Sequence, residues 1–228
     1  LGFEPALRGI RLQRRLFAEV LRVGVLGSFT TLTANVSAMV MTGLVGRFGV
    51  AALAGYGIGL RLEFMVAPLA FGIGTGLVTL VGVAAGAEAW QRAVRVAWAG
   101  GLAAFGLIGL IGWTVALLPQ EWALLFATDA EVVAASVSYT TRVAPFYCLF
   151  GIGLTLSFAS QGAGRMTMPV VAGFVRMVVS ILLGWFMIES VDAGIGGVFL
   201  AIAAGMTVYG CLIAGSLLVA PWRGRVAR

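Results

Sequence analysis

Residues 52–86 read ALAGYGIGLRLEFMVAPLAFGIGTGLVTLVGVAAG. A bilayer core of about 30 Å is crossed by about 20 apolar residues. This run is longer: as a continuous helix it would reach roughly 50 Å at about 1.5 Å per residue. It must therefore project beyond the bilayer, tilt or break. It also carries two charges, Arg61 and Glu63, two residues apart. On a regular helix they stand about 200° apart around the axis and do not face each other. Either each side chain points to a different partner, or the nearby glycines deform the backbone.

The rest of the chain shares this character. It has 228 residues, of which 61% are hydrophobic and 11% charged. Soluble domains carry about 25% charged residues, so a water-facing surface could not be covered, and the class is an all-α integral membrane protein. Its 33 glycines suit transmembrane helices that pack closely or bend. All 15 basic residues are arginine and histidine is absent. That removes histidine metal ligands and the Ser–His–Asp triad. There is no phosphate-binding G-x-x-x-x-G-K-[ST] loop and no lysine to complete one, which excludes ATP-driven transport by this chain alone. Cys148 and Cys211 lie in apolar runs and read as free, packed thiols. The chain begins at Leu1 with no signal-peptide pattern, and the expectation is a piece of a longer protein.

Six spans are expected, over residues 23–46, 52–86, 97–118, about 140–160, 167–188 and 194–219. Residues 1–22 predict a basic amphipathic helix, with Arg8, Arg11, Arg15 and Arg22 on one face, suited to an anionic leaflet or to a plain basic linker. Residues 220–228 form a short basic tail. Arginines recur in alternate connections: the N-terminal segment, Arg92 and Arg95, Arg165, and Arg223, Arg225 and Arg228 of the tail. The other connections hold Arg47, Glu121, Asp129, Glu131, Glu189 and Asp192. The positive-inside bias places both termini in the cytoplasm.

Ionisable groups at membrane depth are functional candidates. Arg61, Glu63 and Arg176 are the three; Arg142, near a span end, can snorkel to water. A functional role is contact with a coupling ion or substrate in a water-filled cavity, and the structural role is fixing helix packing. Tyr147, just after Pro145, and Gln161 are polar candidates for the same pathway. Pro68 followed by Gly72, Gly74 and Gly76, and Pro145 followed by Gly151 and Gly153, read as bending elements for alternating access or as sites of close helix packing.

Two stretches carry a family resemblance. ALAGYGIGLRLEFMVAPLAFGIGTGLVTLVGVAAGAEAWQRAVRVAW, residues 52–98, resembles the seventh-to-eighth helix region of the multidrug and toxic compound extrusion (MATE) transporters. RVAPFYCLFGIGLTLSFASQGAGRMTMPVVAGFVRM, residues 142–177, resembles their tenth and eleventh helices. The motifs A-L-A-x-Y-x-I-x-x-R-x-E, P-L-x-F-G-x-G and Q-G-A-G-R carry it, and it extends over the chain from about residue 10. The resemblance implies one six-helix lobe of a twelve-helix transporter of a bacterial inner membrane. Such a transporter expels cationic, amphipathic compounds against an inward flow of Na⁺ or H⁺. The implied partners are the lipid bilayer, a missing N-terminal six-helix lobe and a small cationic substrate; no cofactor and no nucleic acid are implied. Many members hold the coupling ion with carboxylates in the seventh and tenth helices. Here the first span has Thr30, Thr31, Thr33 and Asn35 but no acid, and the fourth span has none. Either Glu63 substitutes or the coupling site belongs to the other lobe.

The sequence thus points to half of an antiporter, not to an enzyme, since no convergent nucleophile, base and acid occur in the spans. The alternatives are a lipid-linked oligosaccharide flippase, whose cavity calls for several cations facing a diphosphate, and a membrane assembly subunit that would tolerate loss of the buried charges.

Overall fold

The computed structural model of the chain describes residues 14–219 and Trp222. Residues 1–13 of the basic segment expected over 1–22, and the tail over 220–228 apart from Trp222, fall outside these residues. From Arg14 the chain is already helical and runs on through the first span without a break.

Eight helices follow: α1 (Arg14–Gly46), α2 (Val50–Gly86), α3 (Trp90–Leu117), α4 (Pro119–Leu124), α5 (Ala130–Val143), α6 (Tyr147–Gly162), α7 (Thr167–Glu189) and α8 (Gly194–Val219). Among the described residues there is no strand. In hydrocarbon every backbone N–H and C=O must be answered inside the protein, and a helix does this within one segment. Six helical runs are long and apolar enough to cross a membrane: Gly27–Gly46, α2, α3, Ala130–Gly162, α7 and α8. The turns between them use backbone states that end helices. Gly49 and Gly164 have φ of 102° and 69°, and Glu88 and Asp192 sit at 57° and 49°. Asp129 starts α5 by accepting the backbone N–H groups of Glu131 and Val132 at 3.0 and 3.1 Å.

The fourth span differs most from expectation. It begins at Ala130, about ten residues before the expected start, and is interrupted by a 3₁₀ turn at Ala144–Phe146. Its first half is rich in hydroxyls, which hides it from a hydropathy reading. The threonine hydroxyls are answered by the helix itself: Thr140 donates to the Ser136 carbonyl at 2.8 Å and Thr141 to that of Val137 at 2.7 Å, whereas the buried Ser136 hydroxyl has no hydrogen-bond partner among the described residues. Arg142 likewise folds back, donating to the Ser138 hydroxyl at 2.7 Å. Pro145 has no N–H to continue the ladder, and the break falls there. Its own carbonyl accepts the Trp113 indole N–H of α3 at 3.1 Å.

By contrast α2 is unbroken. Its 37 residues contain Pro68, which lies on the exposed face, and would measure about 55 Å. The length exceeds one perpendicular crossing, so tilt or projection takes up the excess, and the backbone does not break.

Helices α2, α3, α5 and α6 pack together; α7 packs along α8, and α1 lies on α7. The fourth span and α8 are mostly buried, whereas most residues of the other spans face outward. The centre of the fold is where α6 crosses α8. At that crossing a Cβ on Gly153 would stand 2.8 Å from the Tyr209 ring and 2.9 Å from the Gly210 Cα, so only a glycine lets the two backbones meet. Gly74 backs onto Phe158 and Gly151 onto Ile108, whereas Gly72 and Gly76 face open space. Arg47 and Glu189 form an ion pair at 2.8 Å that joins the end of α1 to the end of α7 and marks one face of the lobe.

Gly153→Val will force the α6–α8 crossing apart and lower stability by about 2 kcal/mol. Gly76→Ala, at an open helical position, will leave it unchanged or slightly raised. Thermal unfolding of the detergent-purified protein compares the two; equal effects would show that the crossing does not limit stability.

Candidate functional site

The two charges of the opening stretch go separate ways. Arg61 is exposed, and its guanidinium carbon lies 4.6 Å from the centroid of the Phe126 ring, in the turn between α4 and α5. Glu63 points into the lobe, where one carboxylate oxygen is 4.0 Å from a guanidinium nitrogen of Arg176 on α7. The 200° separation on the helix places one side chain on each side, and the backbone is not deformed.

Depth matches across the lobe. Glu63 lies thirteen residues into α2 from Val50, and Arg176 lies thirteen residues back from Glu189. At about 1.5 Å per residue each is roughly 20 Å along its helix from the face that the Arg47–Glu189 pair marks. The helices that carry them share no substantial packing seam. The two long side chains span the interior between them.

Arg176 rests on two rings. Its guanidinium carbon is 4.8 Å from the Phe150 centroid on α6 and 5.8 Å from that of Tyr209 on α8, both within cation–π range. Tyr209 is held in turn: its hydroxyl lies 2.7 Å from that of Ser157. Both charged side chains are only 24% exposed, so neither has full access to water. A separation of 4.0 Å is a charge contact and not a hydrogen bond. Glu88, Glu121, Asp129, Glu131, Glu189 and Asp192 lie at helix ends or between helices.

Next to the pair sits a buried aromatic group. Tyr139 on α5 and Tyr147 at the start of α6 are fully buried, with their hydroxyls 3.2 Å apart. The Tyr139 ring meets Tyr56 and Phe199 edge-on at 5.5 and 5.2 Å between centroids. Glu63 lies within electrostatic reach of the hydroxyls of Tyr56, Tyr139 and Tyr147. The 3₁₀ turn at Pro145 lies between Tyr139 and Tyr147 and sets their relative placement.

Of the residues named from sequence, the structure gathers Glu63, Arg176 and Tyr147 and separates two. Arg61 faces outward, and Gln161 is exposed on the last turn of α6. The polar groups of the first span mostly bond their own helix: Thr33 donates to the Thr30 carbonyl at 2.9 Å and Asn35 to that of Thr31 at 2.8 Å. Sequence reasoning missed Tyr139, Phe150, Ser157 and Tyr209. For Tyr209 a signal existed: a phenol in the middle of a strongly apolar span, far from the interface where tyrosines usually anchor. Phe150 had none, because a phenylalanine in an apolar run is indistinguishable from packing.

A family model described as MatE matches residues 28–186. Two curated relatives are each described as probable multidrug resistance protein NorM. That of Thermotoga maritima is 23% identical over 184 residues, covering 78% of this chain and 40% of its own length. That of Deinococcus radiodurans is 26% identical over 200 residues, covering 82% and 43%. Among solved structures, the MATE transporter ClbM in complex with Rb⁺ matches with a TM-score of 0.84 at 22% identity, over 89% of this chain and 47% of that one. An outward-facing multidrug resistance MATE transporter matches with a TM-score of 0.85 at 18% identity, over 94% and 49%. The chain spans about two-fifths of the length of the curated relatives it matches. The structural likeness establishes the fold, a six-helix half.

If Glu63 and Arg176 compensate each other, the stability losses of Glu63→Gln and Arg176→Gln will sum to more than the loss in the double variant. The coupling should be about 1 kcal/mol. Thermal unfolding of the four proteins closes the cycle, and purely additive effects would show that the two charges do not interact.

Proposed function

The chain belongs to the MatE family, and from that premise we propose that it forms one six-helix lobe of a secondary-active multidrug exporter. In this reading the exporter sits in a bacterial inner membrane with both ends of this chain in the cytoplasm. A second six-helix lobe completes it. Cationic amphipathic compounds leave against an inward flow of Na⁺ or H⁺, and Glu63 is the carboxylate that holds the cation.

The observation that carries this reading is the placement of Glu63. This carboxylate lies inside the lobe, partly exposed and beside an aromatic group rich in hydroxyls. A carboxylate that holds a single positive charge at a time supplies the elementary requirement of exchange: the coupling cation and the cationic substrate compete for it, so arrival of one favours departure of the other. Ring faces at the same place suit the apolar part of an amphipathic cation. The diphosphate-flippase alternative asks for several cations turned inward; Arg61 turns to Phe126, and Arg176 is engaged by Glu63.

Full-length protein in vesicles loaded with a fluorescent cationic dye tests this. An imposed Na⁺ or pH gradient will drive dye efflux, and Glu63→Gln will slow it at least ten-fold. Efflux without dependence on either gradient removes the antiport reading, and wild-type rates in Glu63→Gln remove the site.

A further inference from the structure

We propose that Arg176 is a tethered competitor for the cation site: its guanidinium occupies Glu63 and the ring floor, and it must leave for a mobile cation to bind. The inference rests on the reading of Glu63 as the cation-holding carboxylate, and it adds what fills that site at rest.

The geometry makes the case in three steps. First, the groups around the Arg176 guanidinium are those that a free monovalent cation would seek: a carboxylate at 4.0 Å and the faces of Phe150 and Tyr209 at 4.8 and 5.8 Å. The cation site and the arginine site are thus the same place.

Second, the attachment is of the kind that exchanges. A structural Arg–carboxylate lock makes two short parallel hydrogen bonds, with N···O near 2.8 Å. Here the closest approach is 4.0 Å, and each side chain keeps 24% of its surface exposed. The pair does not lie in a packed seam between α2 and α7. The guanidinium can swing on its three-carbon stem without any helix having to unpack.

Third, leaving is energetically coupled to replacement. With Arg176 withdrawn, Glu63 is an unpaired carboxylate of low solvent access, and such a charge is costly until a cation arrives. The floor does not depend on the arginine, because Tyr209 is fixed by Ser157 and by its contact with Gly153. Removing the guanidinium therefore leaves an intact site of net negative charge, and cation affinity must rise. A purely structural role for the pair makes the opposite forecast: loss of Arg176 loosens the lobe and weakens binding.

The test uses purified full-length protein and two probes, ²²Na⁺ and tetraphenylphosphonium. Arg176→Gln will bind at least one of them ten-fold or more tightly than the wild type. Arg176→Lys, which keeps a tethered charge, will stay near the wild type, and Glu63→Gln/Arg176→Gln will lose the gain. Added cation will also raise the thermal stability of Arg176→Gln more than that of the wild type. A second measurement needs no substitution. In the wild-type protein, saturating cation will increase phenylglyoxal labelling of Arg176, read by mass spectrometry, because the displaced guanidinium becomes accessible.

Equal or weaker binding of both probes by folded Arg176→Gln overturns the proposal. So does labelling that cation leaves unchanged or reduces. The two readings fail separately: if Glu63→Gln binds both probes like the wild type, the assignment of Glu63 falls. If Glu63→Gln loses binding while Arg176→Gln gains none, only the tethered competitor falls.

Discussion

A charge held at membrane depth has to be answered from within the protein, and much of this lobe can be understood from how Arg176 and Glu63 answer each other. Their helices do not pack together, so the answer spans the interior. That requires an interior, and α6 and α8 supply it by forming the buried centre between the α2 side and the α7 side. It also requires equal depth, which the two helices meet by placing the charges equally far from the same face. The rings of Phe150 and Tyr209 complete the surroundings from the two central helices.

Close packing of the central helices rests on small residues. Without a hydrophobic driving force between helices in lipid, van der Waals fit carries association. Gly153 against Gly210 and Tyr209 is one expression of this at the centre of the fold, and Gly210 against the Leu149 carbonyl is another. Of the residues read as candidate bending elements, the 3₁₀ interruption coincides with Pro145, while Pro68 sits inside a continuous helix. Ring geometry explains the difference only in part. Near Pro145 other groups are at hand: the Trp113 indole donates to its carbonyl, and the Thr140 and Thr141 hydroxyls satisfy themselves on their own turn. Pro68 faces outward, and the chain continues helical through it.

The membrane architecture was legible because it depends on composition over twenty-residue lengths, and no single residue reverses that signal. Five of the six spans fall close to where hydropathy places them. The fourth was half hidden, because Ser138, Thr140, Thr141 and Arg142 look like loop chemistry until their hydrogen bonds are seen. The site was legible in its charges but not in its pairing. Helical spacing correctly denied Arg61 to Glu63, yet nothing local could join Glu63 to a residue 113 positions away. The phenols tell the same story: Tyr147 was conspicuous beside a proline, whereas Tyr139 sat in a stretch read as extramembrane or span edge. Contacts between helices distant in sequence are written in the three-dimensional fold, and a single sequence does not display them.

Tyr209 is held at both ends, by Ser157 at its hydroxyl and by Gly153 against its ring. A phenol pinned in this way cannot tilt or slide to meet a visitor. Guanidinium, ammonium and alkali ions would all meet the same ring at the same height, and none could draw it closer. On the proposed reading, discrimination among them would fall to the size and hydration of the visitor, as with a rigid gauge, and adaptability would be left to the one flexible wall, the arginine stem itself.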